Sequence, residues 1–310
     1  MSGWRRIAGV LGGLLLLVAC DAGKGATHGS TPAIRTSATQ STIGPGPGQP
    51  TSSPASPADG VPRFDHIVVV VVENHAYGQV IGASQAPFLN SLAARGAVLT
   101  RSYAVSHPSQ PNYLALFSGS THGLVDDSCP HTFTGPNLAT ALLAGGRTFA
   151  GYSESLPSAG YTGCSAGSYA RKHAPWTDFA GLPRTVNQPM TSFPSNLNAL
   201  PDVSFVIPNL RHDMHDGTVA QSDRWLQQRL GAYANWSSAH NSLLIVTADE
   251  DDNHSGNRIA TVLAGAHVRA GRYGTRTNHY GLLRTVLASC GLTPFGGAAK
   301  TAPIVGLWAT

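Results

Sequence analysis

Carboxylates and imidazoles in this chain gather just past short apolar runs. "HIVVVVV" is followed by Glu73-Asn74. "SLLIVTA" is followed by Asp249-Glu250-Asp251-Asp252. "SFVIP" leads into "NLRHDMHDG", which holds His212, Asp213, His215 and Asp216. The chain has only 16 acidic residues, so this concentration is informative. Oxygen and imidazole donors of this kind suit Zn, Mn, Fe or Mg rather than metals that prefer thiolates. Each group has a plainer account. Glu73 can cap a helix, "DEDD" can be an acidic loop or a calcium site, and "HDMHDG" can be a turn with surface histidines. For the chemistry to be absent, all the plain accounts must hold together.

One serine stands apart, Ser109 in "SHPSQPNYLALFSG". Pro111 falls where first-turn proline is tolerated, and an apolar run follows. A serine there can cap a helix. The same position also presents backbone N–H groups and the positive end of the helix dipole to a phosphate. Asn112 is placed to donate to a phosphoryl oxygen. A serine hydroxyl is a weak nucleophile until a base takes its proton or a cation binds its oxygen. Carboxylates plus a helix-end serine therefore point to phosphoryl or sulfuryl transfer through a covalent serine ester. His279 in "TNHYGLLRT" and His173 in "YARKHAPW", beside Arg171 and Lys172, can each be a metal ligand, a proton donor to the leaving group or a phosphate contact. The plain account of either is a polar surface group.

These residues can meet only if the apolar runs belong to one sheet. "HIVVVVV", "SFVIP", "SLLIVTA" and "RIATVLAG" are short and continuous, which fits strands buried on both faces. "APFLNSLAARG", "DRWLQQRLGAYANWSS" and "NHYGLLRTVLASCG" have helical spacing, the last with Gly291 as a stop. Alternating strands and helices predict an α/β domain with a largely parallel sheet and helices on both faces. In such sheets ligands bind beyond the carboxyl ends of the strands, where the acids and imidazoles lie.

The 310 residues are 42% hydrophobic, enough for one large domain or two small ones. A net charge of +4 with no Lys/Arg run gives nucleic-acid binding little support. Residues 1–20, "MSGWRRIAGVLGGLLLLVAC", have a basic start and a short apolar stretch, as export signals do. "LVAC" resembles a lipobox, which would leave a lipid on Cys20 and hold the protein to the outer face of the membrane; ordinary secretory cleavage is the alternative. Residues 21–60 are rich in Pro, Ser, Thr and Gly and read as a disordered tether. The catalytic domain is expected over 61–310, as a monomer. Of the remaining cysteines, Cys129 and Cys164 sit in loop sequence and are paired; Cys290 lies in a helical pattern and reads as buried and free.

The blocks "HIVVVVVENHAYGQVIG", "HPSQPNYLALFSG", "PNLRHDMHDG", "TADEDD" and "NHYGLLRT" resemble the bacterial phosphoesterase family of acid phosphatases and phospholipases C. That family lies in the alkaline-phosphatase-like superfamily. The resemblance covers nearly all of residues 64–308 and is nearest to monoesterases, including ones that act on phosphoinositides. It implies Ser109 as nucleophile; His279 or His173 is the expected proton donor to the leaving alcohol. It implies Glu73, Asn74, Asp249 and Glu250 as the metal and phosphate site around Ser109, and Asp213, His215 and His279 as a second cluster, either a second metal site or phosphate-binding and acid–base residues. Asn74, Asn112, His107 and Lys172 are expected around the substrate phosphate, and Glu73, Asp249, Glu250, Asp213 and His215 as ligands of one or two divalent cations. A paired site would hold the cations roughly 3.5–4 Å apart. Two departures stand out: His212 where relatives often have Asn, a possible extra ligand, and Ala248 where many have Trp.

The expected activity is metal-assisted hydrolysis of phosphomonoesters through a phosphoserine. Three alternatives are a phospholipase C acting on a diester, a sulfatase, and a non-enzymatic surface lipoprotein. "PSQPN" lacks the Arg of a C/S-x-P-x-R sulfatase context. A Ser-His-Asp hydrolase is disfavoured because no G-x-S-x-G follows a strand.

Overall fold

The continuous valine run becomes the middle of a sheet packed on both faces. The computed structural model describes residues 58–309. Its strands are β1 (His66–Val72), β2 (Ala97–Leu99), β3 (Ser102–Tyr103), β4 (Phe149–Ser153), β5 (Ser165–Ala166), β6 (Tyr169–Ala170), β7 (Asn187–Pro189), β8 (Val203–Ile207), β9 (Ser242–Ala248), β10 (Thr261–Gly265), β11 (Gly271–Tyr273) and β12 (Thr277–Asn278). Its α-helices are α1 (Tyr77–Val80), α2 (Pro87–Arg95), α3 (Ser109–Ser118), α4 (Leu138–Ala144), α5 (Val219–Trp236) and α6 (His279–Ser289).

Eight strands form one sheet in the order β11-β2-β10-β9-β1-β8-β4-β7, and β10 runs antiparallel to both of its neighbours. The strands β9-β1-β8-β4-β7 are parallel. Two short ribbons, β3–β12 and β5–β6, lie outside the sheet. The α/β architecture with a mostly parallel sheet is the one expected. "RIATVLAG" supplies the antiparallel β10, and β2, β4, β7 and β11 extend the sheet beyond the runs the sequence marked.

Side chains alternate across the sheet, and β1 divides its residues between two cores. Ile67, Val69 and Val71 pack with Leu114 and Phe117 of α3, Leu142 of α4 and Leu283 of α6. Val68, Val70 and Val72 pack with Leu89 and Leu92 of α2 and Leu226 and Leu230 of α5. Leu243 and Ile245 of β9 share the first core. Carrying the alternation one step past both strands puts Glu73 and Asp249 on the face covered by α3 and α6. Val72 and Ala248 are register partners, so Glu73 and Asp249 leave the sheet side by side. Ala248, the departure from the family pattern, is fully buried in the second core.

The expected signal peptide at 1–20, with Cys20, lies outside the described residues, as does the tether except its last three positions. Ala58–Gly60 form a 3-10 turn whose Asp59 pairs with Arg284 on α6. Cys129 and Cys164 form a disulfide with Cα atoms 5.9 Å apart, and Cys290 is free and buried. Among the described residues, no helix is long and apolar enough to cross a membrane.

Candidate active site

Ser109 is the first residue of α3 and is buried, yet its side chain caps nothing. Its hydroxyl instead donates toward Glu73 Oε2 at 2.9 Å and Glu250 Oε1 at 3.1 Å. The Asn74 amide nitrogen, turned to face acceptors, reaches the same two oxygens at 3.1 Å each. Asn74 has φ of 45°, a left-handed conformation that asparagine tolerates better than most residues. Its backbone N–H donates to Asp249 Oδ1 at 3.2 Å. The three loops that carry Glu73, Asp213 and Asp249 are also joined through backbone. Glu73 N–H donates to the Asp213 carbonyl at 2.7 Å, and Asp249 N–H to the Val72 carbonyl at 2.9 Å.

The second oxygen of Glu73 belongs to another group. Glu73 Oε1 accepts a short hydrogen bond from the Tyr113 hydroxyl and lies 3.3 Å from His173 Nε2. His173 Nδ1 is 3.5 Å from Asp213 Oδ2, and its ring stacks on Tyr113 with centroids 4.9 Å apart. Ligand atoms of Glu73, His173 and Asp213 all lie within 4.8 Å of one another. His173 Nε2, Asp213 Oδ2 and Asp249 Oδ2 are buried without a hydrogen-bond partner. Buried polar atoms are rarely left so.

Electrostatics point the same way. Burial, reinforced by Asp249 and Asp213, pushes Glu73 well above the usual carboxylate range. Burial likewise pushes Asp213, Asp249 and Glu250 up to about 7, with the Glu250 charge adding to the effect on Asp249. Burial, then the Lys172 charge, holds His173 well below its ordinary value, so its ring is neutral and keeps one lone pair. Crowded buried carboxylates beside a neutral imidazole make a donor set that fits a divalent cation of the Zn, Mn, Fe or Mg kind.

Not every expected residue joins this cluster. His215 is exposed, and its ring pairs with Asp216 at 2.7 Å; only its backbone N–H reaches Asp213. It stands outside the ligand group, and His173, expected as a proton donor, stands inside it. His212 is no extra ligand either, because its ring binds Glu154 at 2.9 Å and stacks near Trp225. The Asn112 amide is spent on the loop before α3. It accepts from the N–H groups of Val105 and Ser106 and donates to the carbonyls of Ser106 and Pro108. Its geometry is that of a loop brace rather than a phosphate donor. His107 spans two acids, with Nδ1 at 2.5 Å from Glu250 and Nε2 at 3.3 Å from Asp251. His279 is buried, its Nε2 is 2.6 Å from the Asp249 carbonyl, and burial lowers its pKa to about 4. Burial keeps the His173 and His279 rings neutral near neutral pH, so each carries a single ring N–H and is a poor acid. Lys172 Nζ binds Asp127 at 2.7 Å.

Sequence reasoning passed over Tyr113. The signal was present, since Tyr113 lies four residues after Ser109 and so shares its helix face. Replacing it with Phe leaves Glu73 Oε1 without its donor. Tyr113→Phe is expected to lose about 1–3 kcal/mol in a urea unfolding curve. An unchanged midpoint would show that this bond contributes nothing net.

The model of the Phosphoesterase family matches residues 83–293. The chain belongs to the Phosphoesterase family. The matched span holds Ser109, His173, Asp213, Asp249, Glu250 and His279, and it begins ten residues after Glu73. This phosphoesterase is 50% identical over 254 residues to a phosphatidylinositol-3-phosphatase of Mycobacterium tuberculosis, across 81% of this chain and 85% of that one. It is 31% identical to a phosphate-repressible acid phosphatase of Penicillium chrysogenum, across 79% of this chain and 64% of the relative. In fold it matches a protein in the alkaline phosphatase superfamily from Vibrio parahaemolyticus, with a TM-score of 0.52 at 13% identity over 77% of this chain and 69% of that one. The phosphoesterase is thus a phosphoric ester hydrolase with an alkaline-phosphatase-like fold. A non-enzymatic surface protein is set aside.

Proposed function

We propose that this phosphoesterase hydrolyses phosphomonoesters through a phosphoserine on Ser109. The observation that carries the proposal is the placement of the Ser109 hydroxyl between Glu73 and Glu250 at a helix N-terminus. Ser109 gives its proton to one of these carboxylates as its oxygen bonds to phosphorus. The bond from phosphorus to the ester oxygen breaks, and the alcohol leaves. In-line displacement puts the departing oxygen on the side away from Ser109. Buried, neutral His173 and His279 are poor acids for it, so solvent supplies the proton. Water then attacks the phosphoserine and returns free Ser109 and phosphate.

Glu73, His173 and Asp213 would hold a divalent cation, with Asp249 and Glu250 beside it. A bound cation supplies positive charge where negative charge develops on oxygen. Asn74 orients the two carboxylates around the hydroxyl. Lys172 adds a second positive charge for the phosphate. Burial opposes that charge, but the Asp127 bond and Glu73 outweigh it and raise the pKa of Lys172.

A phosphoinositide monoester is the favoured substrate, supported by the likeness to the mycobacterial phosphatidylinositol-3-phosphatase. Export, with lipid on Cys20 holding a monomer at the outer membrane face, is part of the same proposal. The disulfide supports it, because such bonds persist in oxidising compartments.

The test is phosphate release from a chromogenic monoester, phosphatidylinositol 3-phosphate and phosphatidylcholine, with and without chelator. Release from both monoesters, abolished by chelator, is expected. Preferential cleavage of phosphatidylcholine would transfer the protein to the phospholipase C type.

A further inference from the structure

We infer that Asp127 is a positioning residue for Lys172, and that the Cys129–Cys164 disulfide holds the pair in place. This rests on the proposed phosphate contact of Lys172. Asp127 lies in the loop after α3 and joins two parts of the site. Its Oδ1 accepts the Gln110 N–H at 2.9 Å, in the first turn of α3 beside Ser109. Its Oδ2 accepts from Lys172 Nζ at 2.7 Å. Lys172 directly precedes His173, whose ring lies 3.3 Å from Glu73, so its backbone borders the carboxylate cluster. A lysine side chain has many rotamers, and a fixed carboxylate removes much of that freedom before substrate arrives.

Covalent structure ties both partners together. Cys129, two residues after Asp127, is bonded to Cys164. The Cys164 carbonyl accepts the Arg171 N–H at 2.9 Å, one residue before Lys172. Buried Arg171 adds a polar brace across the same two segments, donating to the carbonyls of His131 at 3.2 Å and Thr162 at 2.7 Å. Asp127 and Lys172 are thus fixed on opposite sides of one cross-link.

A different role would reverse the sign. A carboxylate on a helix-end N–H and a lysine can stand where a substrate phosphate binds, and its removal would then tighten binding. The experiment measures kcat and KM for a soluble chromogenic phosphate monoester with full-length Asp127→Asn, Lys172→Gln and the double variant. Asp127→Asn is expected to raise KM about fivefold or more with kcat within about twofold, and to change KM less than about twofold once Lys172 is Gln. Asp127→Glu should recover part of the loss. The Cys129→Ser/Cys164→Ser variant should repeat the KM rise, again only with Lys172 present. A KM that falls or stays constant in Asp127→Asn overturns the inference, as does an equal rise in the Lys172→Gln background. A normal KM in Lys172→Gln alone instead removes the phosphate contact on which the inference rests.

Discussion

Ser109→Ala should lower monoester hydrolysis by at least roughly a thousandfold while the protein folds normally. The hydroxyl is the atom placed between the two carboxylates, and no other described serine occupies that position. The first-turn N–H groups, Lys172 and the carboxylates stay in place, so KM should change far less than kcat. Folding is spared because Ser109 makes no capping bond and alanine is smaller than serine. Circular dichroism and the thermal midpoint check the fold, and initial rates check the chemistry. Acid quench of the wild type with labelled substrate should leave phosphate on Ser109. Hydrolysis by the alanine variant at near the wild-type rate would refute the nucleophile.

The second large effect concerns Glu73 and Asp213. Glu73→Gln or Asp213→Asn should lower activity by about a hundredfold or more and reduce the metal content of purified protein. The glutamine keeps the shape of Glu73 but removes the charge that a cation needs. Stability separates loss of binding from misfolding. A cation that binds only the native state stabilises it, by about 2.7 kcal/mol at a hundred times its dissociation constant. Chelated wild type should therefore gain thermal stability on adding back metal, and the Glu73→Gln protein should gain little. In chelator the variant should be at least as stable as wild type, because one of several crowded buried charges is gone. Equal stabilisation of both proteins by metal would place the cation elsewhere.

The sheet was legible where its residues are buried on both faces. "HIVVVVV" and "SLLIVTA" coincide with β1 and β9 to the residue. β4 was not, because "FAGYS" is short and interrupted by a glycine, and β2 is only three residues long. The site was legible at strand ends because topology, not loop conformation, brings Glu73 and Asp249 together. Loop residues were less legible for the opposite reason. Whether His215 turns inward or out to Asp216 depends on a turn whose backbone the sequence does not specify. Asn112 has four hydrogen-bonding positions, and a tight loop beside it consumed them all. The place of His173 between Glu73 and Asp213 was hidden because residue type alone is silent on burial.

β8, β1 and β9 lie next to one another, and their register comes from backbone ladders through the middle of the protein. The spacing of the carboxylates is therefore inherited from the scaffold. The cross-linked stretch carrying Asp127 and Lys172 lies outside those ladders, so exchanging it should leave that spacing intact. Grafting experiments aimed at new ester preferences should recut that stretch and leave the three strand tips untouched.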